Sequence, residues 1–214
     1  MARGKAWALS LVFCAAVLTA YAYKNRDVAL HFPRAQQLHA ERQLDAAATE
    51  YRASIDAGEN VAYAHYNLGL IRSEQQRWPE AEAELRAAVA GAPDLTDAQL
   101  ALGVALHQQG KMDDAIREYE AVAAANPASS AAFYDLGLAH AAAGRFDRAL
   151  DAYTKAVALD PKSADAEFNL GYLLAHNLGR PQDAVAHFRR AVELNPKMEK
   201  AVLEMRAASA QTQR

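Results

Sequence analysis

Residues 131–161 read AAFYDLGLAHAAAGRFDRALDAYTKAVALDP, and the same pattern recurs along most of the chain. Its glycine belongs to the series Gly69, Gly103, Gly137 and Gly171, whose members follow one another at a constant interval. A leucine precedes every glycine of the series. The interval falls in the range of roughly 20–50 residues that is typical of repeat arrays, and it predicts a stack of similar units, each burying its apolar face against the next.

Three further positions of each unit repeat with the glycine. They hold a small residue, then a leucine or an aromatic residue, and finally a proline. The first three copies share one spacing, and the fourth keeps the same order after one inserted residue. The residues are Ala81, Leu85 and Pro93; Ala115, Tyr119 and Pro127; Ala149, Tyr153 and Pro161; and Ala184, Phe188 and Pro196.

Composition and spacing together predict two helices in each unit. Apolar residues make up 52% of the chain, many of them alanine, whereas glycine (10) and proline (7) are few. Alanine is the best helix former because it loses no side-chain freedom on folding. Gly110, Gly144 and Gly179 mark a turn between two helices, and the recurring proline ends the second helix. We therefore expect an all-α protein.

These residues resemble the tetratricopeptide repeat family over residues 62–197, where we predict four repeats. The resemblance implies a right-handed α-solenoid of helix-turn-helix repeats that binds other proteins. Residues 24–61 are predicted to form a linker and a degenerate first repeat, in which Ala35, Ala47 and Tyr51 keep the spacing, Pro33 lies inside the first helix and a short helix begins near it. Residues 198–214 are predicted to form a C-terminal capping helix and a tail.

A basic tail, residues 1–5, and an uncharged apolar segment, residues 6–23, precede the repeats. As a helix the apolar segment would be about 27 Å long, close to the roughly 30 Å of a bilayer core. We predict a single transmembrane helix whose basic N-terminal flank stays in the cytoplasm. Two alternatives remain open: a cleaved signal peptide, for which Ala20-Tyr21-Ala22 offers small residues, and the opposite orientation in the membrane.

Several classes of function find no support in the sequence. Beyond residue 27 the chain holds 19 basic and 25 acidic side chains, an acidic balance that disfavours nucleic acid. The single cysteine, Cys14, lies in the apolar segment and permits no intrachain disulfide. His107, His140 and His176 stand at three different offsets from their repeat glycines, which disfavours a metal site. No catalytic or cofactor motif is present. We expect no enzyme and no cofactor.

By resemblance, partners bind a groove lined by the first helix of each repeat. Its positions lie six, three and two residues before each repeat glycine and one residue after it; we call them the groove face. None holds Lys or Arg, which excludes a basic clamp for a carboxylate. The predicted binding residues are Tyr63, Tyr66, Asn67, Leu70, Asp97, Tyr134, Asp135, Asp165, Phe168, Asn169 and Tyr172.

These patterns predict a non-enzymatic scaffold whose groove binds peptide or helical segments of partner proteins. With a bacterial origin inferred from the alanine-rich composition, the apolar segment predicts a single-pass protein of the inner membrane whose repeats face the periplasm. Its partners would then be components of a membrane or envelope complex. The alternative is a secreted or periplasmic, chaperone-like factor that is released by signal cleavage and holds extended clients.

Overall fold

The computed structural model describes residues 30–211, and within that range the chain forms α-helices and no β-strand. This confirms the predicted all-α class. Eleven α-helices are present in the range: α1 (His31–Ala40), α2 (Leu44–Asp56), α3 (Val61–Glu74), α4 (Trp78–Gly91), α5 (Thr96–Gln108), α6 (Met112–Ala125), α7 (Ser130–Ala142), α8 (Phe146–Leu159), α9 (Ala164–Tyr172), α10 (Pro181–Leu194) and α11 (Glu199–Gln211).

The predicted basic tail and apolar segment, residues 1–23, lie outside the described residues, as do residues 24–29 of the predicted linker. Among the helices from residue 30 to residue 211, none combines the length and the apolar character needed to cross a membrane. The transmembrane helix over residues 6–23 therefore stays a prediction.

The helices pair into hairpins with one recurrent turn. The residue that closes this turn has a left-handed φ in each of the five hairpins that the structure describes: 62° at Arg42, 57° at Gln76, 75° at Gly110, 72° at Gly144 and 63° at Gly179. Glycine was predicted at the last three, since it adopts positive φ without a Cβ clash. The first two hairpins make the same turn with longer side chains.

Prolines and serines mark helix starts. Pro79 and Pro181 stand in the first turns of α4 and α10, where a missing N–H is harmless. Pro33 also falls in a first turn, because α1 begins at His31. Ser129 and Ser163 cap α7 and α9 by accepting from the amides three residues ahead, at 3.2 Å.

The first of two compact units ends at Pro93 and contains helices α1 to α4. Its core joins alanines of three helices to a few larger side chains. Tyr51 is fully buried, and the ring of Phe32 meets it edge-on with 5.6 Å between centroids. The buried residues are Ala35, Ala47, Ala48, Tyr51, Ala64, Leu68 and Ile71. The degenerate first copy thus forms a complete helical hairpin.

Residues from Asp94 onward form a second compact unit, built from α5 to α11. The inserted residue of the last repeat is taken up by a π-helix, Leu173–Asn177, that directly follows α9 and buries Leu173 and Leu174. Helix α11 covers the last hairpin with the buried Ala208 and the half-buried Met205. Helix α11 thus contributes apolar side chains to the core of the last hairpin.

Histidine–glutamate pairs link the two helices in several of the described hairpins. In the first unit, Nδ1 of His31 lies 2.6 Å from Oε2 of Glu50, and Nδ1 of His65 lies 2.7 Å from Oε2 of Glu84. In the second unit the glutamate is on the first helix of the hairpin and the histidine is on the second. Oε2 of Glu167 on α9 lies 2.8 Å from Nδ1 of His187 on α10. The first member of each pair stands four residues before the repeat glycine or its equivalent, so these pairs recur with the repeat.

Candidate functional site

The groove face occupies one side of each first helix. At about 100° per residue its four positions fall within roughly one third of the helix circumference, whereas the repeat leucine and glycine point elsewhere. Burial follows this division, because Leu68, Leu136 and Leu170 are buried but none of the eleven predicted binding residues is. The predicted residues thus remain accessible on one side of each first helix.

In the first unit the groove face lies on α3. Tyr63 leaves 51% of its surface exposed, which is unusual for so large an aromatic side chain. Tyr66, Asn67 and Leu70 are half-buried beside it. The Asn67 amide donates a hydrogen bond of 2.8 Å to the carbonyl oxygen of Tyr63, its own helix neighbour. This bond orients the amide along α3.

A shallow cavity of about 460 Å³ adjoins this surface and is lined by Gln36, His39, Tyr51 and Asn67 among others. Burial raises the pKa of Tyr51 to about 12, so its hydroxyl stays protonated throughout the physiological range. The ring of His39 lies edge-on to Tyr51, with 6.4 Å between centroids. Helix α1 therefore contributes polar side chains to a site that the sequence assigned to α3 alone.

In the second unit the structure brings Tyr134 of α7 and Asn169 of α9 into direct contact. The Asn169 amide donates to the Tyr134 hydroxyl at 2.8 Å. The Tyr134 ring lies 6.1 Å from that of Tyr153, and Phe168 lies 5.9 Å from Phe188. Tyr134 and Phe168 thus pack against core rings while keeping part of their surface exposed.

Three carboxylates belong to the groove face of this unit. Asp97 and Asp165 are exposed on α5 and α9, and Asp135 is half-buried on α7. Burial raises the pKa of the Asp135 carboxyl to about 6. Burial also raises the pKa of Tyr134, and the negative charges of Asp165 and Asp135 raise it further. This part of the groove face is acidic and aromatic.

The C-terminal end of the groove face receives side chains from α11 that the sequence analysis did not include. Phe168, Asn169 and Tyr172 line a cavity of about 460 Å³ together with Lys200, Leu203 and Glu204. Tyr172 is 44% exposed and Leu203 is 64% exposed. The sequence contains one indication of this contribution. Leu203 is apolar, yet it lies on the side of α11 opposite the buried Ala201 and Ala208.

His176 fixes this end of the site. Its ring lies 4.4 Å from that of Tyr172, and its Nε2 lies 2.7 Å from Oε2 of Glu204. The residue therefore ties the π-helix to α11. Across residues 30–211, no group of three or more His, Cys, Asp or Glu side chains is placed to hold a metal ion.

A larger cavity, about 870 Å³, opens on another side of the second unit, between α8 and α10. Leu150, Leu170 and Leu174 are among its apolar lining, and Lys155 and Arg180 are among its charged residues. Leu174 stands three residues after the repeat glycine, which by helix geometry is opposite the groove positions. The cavity is thus separate from the groove face.

A model of the family described as "Tetratricopeptide repeat" matches the chain in four overlapping stretches: residues 32–96, 72–132, 100–163 and 134–199. Together these stretches span well over half of the chain. They include the degenerate first copy as well as the four clear ones. A search of the curated proteins gives no match.

Three solved structures illustrate the similarity of fold. MamA (41-end) from Desulfovibrio magneticus RS-1 is 23% identical with a TM-score of 0.74, over 80% of this chain and 96% of that chain. YrrB, described as a TPR protein with an unusual peptide-binding site, is 21% identical with a TM-score of 0.72, over 86% and 95%. The protein TTC0263 from Thermus thermophilus is 22% identical with a TM-score of 0.63, over 86% and 99%.

Proposed function

The chain belongs to the tetratricopeptide repeat family, and on that premise we propose that it is a non-enzymatic scaffold that binds peptide or helical segments of partner proteins along its groove face. The supporting observation is that large aromatic side chains stay exposed there, above all Tyr63 and Tyr172. Exposed aromatic surface is costly in water and is typical of binding sites.

The chemistry of the groove face suits an apolar segment with some polar groups. Tyrosine offers a large contact area at low entropic cost together with a polar tip. Asn67 is half-buried, and the one bond described for its amide donates to its own helix, so its carbonyl oxygen can accept from a peptide backbone. The peptide-binding site described for YrrB supports a peptide as the ligand class.

We further propose that residues 6–23 anchor the chain in a bacterial inner membrane as a single helix, with the repeats facing the periplasm. The support is the uncharged run between Lys5 and Lys24 and the basic N-terminal flank. The partners would then be components of a membrane or envelope complex. The alternative is a periplasmic or secreted client-binding factor that is released by cleavage within the same segment.

Cross-linking capture from membranes tests the binding role. Full-length wild-type chain is compared with the double variant Tyr63→Ala, Asn169→Ala and with Leu159→Ala, which removes an exposed apolar side chain from a second helix. We expect the double variant to lose the specific partners that the wild type and Leu159→Ala retain. An unchanged set of captured proteins in the folded double variant would overturn the groove proposal.

The mass of the mature N-terminus distinguishes the anchor from the cleaved form. An anchored chain retains residues 6–23 and fractionates with membranes. A mature chain that begins at Tyr23 would contradict the anchor and support the released factor.

A further inference from the structure

The groove face of the second unit has a charge of one sign. Asp97, Asp135 and Asp165 stand on its three successive first helices, and no groove position there holds Lys or Arg. Asp97 and Asp165 are exposed, and as solvated surface charges they would not define a site. Asp135 lies between them along the chain and has a different environment.

The Asp135 carboxylate is half-buried and unpaired. No residue from 30 to 211 forms a hydrogen bond or an ion pair with its carboxylate oxygens. Its pKa is raised to about 6 by burial, and no neighbouring cation of the described chain offsets that effect. A carboxylate held out of water without a partner is destabilising, and such groups call for an explanation.

A buried tyrosine also lacks a hydrogen-bond partner. Tyr119 of α6 is fully buried, and its hydroxyl has no partner in the described part of the chain. Burial raises the Tyr119 pKa, and the negative charge of Asp135 raises it further. Two polar groups on different helices that have no partner among the described residues therefore lie within electrostatic range of each other.

The other groups that face Asp135 are also acidic or neutral. Burial raises the pKa of Tyr153 on α8 and of Tyr134 on α7, and the negative charge of Asp135 raises both pKa values further. Asp165 of α9 acts on Tyr134 in the same sense. Within the helices that the structure describes, no Lys, Arg or His contributes to the electrostatics of Asp135. The surroundings of Asp135 are thus acidic or neutral, and no cation of those helices offsets its charge.

We propose that the groove face of α5, α7 and α9 selects basic segments, and that a Lys or Arg side chain of the bound segment places its cationic group on the half-buried Asp135 carboxylate. This inference rests on the proposed peptide-binding function and specifies its ligand. The cation supplies the charge-assisted hydrogen bonds that Asp135 lacks among the described residues. The exposed Asp97 and Asp165 attract the same segment before contact.

Selection from a random peptide display library tests the proposal with the full-length chain in detergent. The chain is immobilised, and the composition of the enriched peptides is compared with that of the starting library. The same selection is run on Asp135→Asn and on Asp151→Asn, which neutralises an exposed aspartate of α8 outside the groove face. We expect enrichment of Lys and Arg with the wild type and with Asp151→Asn, and loss of that preference with Asp135→Asn.

The outcomes separate the two claims. Peptides enriched by the wild type without an excess of Lys and Arg, or with the same excess on Asp135→Asn, would overturn the selection of basic segments and leave the binding role intact. No enrichment above empty resin would overturn both claims.

A selected lysine peptide then provides a direct measurement by fluorescence anisotropy. Loss of one charge-assisted hydrogen bond predicts about tenfold weaker binding to Asp135→Asn than to the wild type or Asp151→Asn. Binding to the wild type should also weaken from pH 7.5 to pH 5, because Asp135 then takes up a proton while lysine stays charged. Equal affinity of all three proteins, with no pH effect specific to Asp135, would contradict the assignment of this residue.

Discussion

The ring of Tyr153 lies directly on the backbone of Gly137. A Cβ built on Gly137 would stand 2.5 Å from Cδ1 and 2.6 Å from Cε1 of that ring, far inside van der Waals contact. Gly103 meets Tyr119 in the same way, and Gly171 meets Phe188 at 2.9 Å. The recurrent spacing between the repeat glycine and the aromatic therefore records a contact between the two helices of one hairpin.

Substitution of Gly137 should be costly for this reason. In Gly137→Leu the new side chain enters space that the Tyr153 ring fills, so the hairpin must open or the ring must leave its rotamer. We expect a loss of about 1–3 kcal/mol or more in the free energy of unfolding, measured by urea denaturation. Ala142→Leu adds the same side chain at an exposed position of α7 and should change stability by less than about 0.5 kcal/mol. Equal losses in both variants would contradict this packing.

The Asn169–Tyr134 hydrogen bond should couple α7 to α9. A double-mutant cycle of Tyr134→Phe and Asn169→Ala should give a coupling energy of about 0.5–1.5 kcal/mol in urea unfolding, because each single change removes the same bond. Thr154→Ala is the control partner for Tyr134→Phe, because the Thr154 hydroxyl donates to a carbonyl oxygen of its own helix. The stability losses of these two variants should add. Additivity of both pairs would mean that the bond adds nothing to stability.

Helix α11 should protect the core of the last hairpin. Ala208 is 3% exposed against the cluster that contains Tyr153 and Phe188, whereas its neighbour Ala207 is exposed. Ala208→Asp places a charge in that cluster and should lower the melting temperature by several degrees, a loss of about 2 kcal/mol or more. Ala207→Asp adds the same charge in water and should melt close to the wild type. If the two variants melt together, α11 does not cover the core.

Asp135 should make stability depend on pH. An unfolded aspartate titrates near pH 3.9, whereas burial raises the folded pKa of Asp135 to about 6. The folded state therefore binds this proton more tightly. The stabilising contribution of the protonated Asp135 carboxyl to the free energy of unfolding is fully present below pH 4 and is lost as pH rises through about 6. Between pH 4 and pH 7 the free energy of unfolding of the wild type should fall by on the order of 1–3 kcal/mol relative to that of Asp135→Asn.

Urea unfolding at a series of pH values measures that loss. Asp151→Asn, at an exposed site, is the control and should run parallel to the wild type across the same range. A constant difference between the wild type and Asp135→Asn would show that the folded protein does not perturb this carboxyl.

The fixed period of the repeat glycines was enough to predict the helical hairpins and their turns. These features depend on local chemistry, namely the absence of a Cβ at Gly144, the missing N–H of Pro181 and the helical period of alanine-rich segments. The groove positions followed from the same period, since helix geometry places them on one side. That they bind a partner stays a prediction.

Other features depended on how neighbouring helices are placed. The pairs His31–Glu50 and Glu167–His187 join residues 19 and 20 positions apart, and the additional residue in the second pair matches the π-helix of the last hairpin. The environment of Asp135 likewise involves other helices, because its charge adds to burial in raising the pKa of Tyr119 on α6 and of Tyr153 on α8.

Sequence by itself therefore determined which residues form helices, where those helices turn and which faces they bury, because these properties repeat with the local period. Only the tertiary structure decided the environment of individual polar groups. Burial of Asp135 and of the Tyr119 hydroxyl depends on the positions of side chains many residues away, and a shift of about an ångström between helices changes whether such groups meet a partner or water.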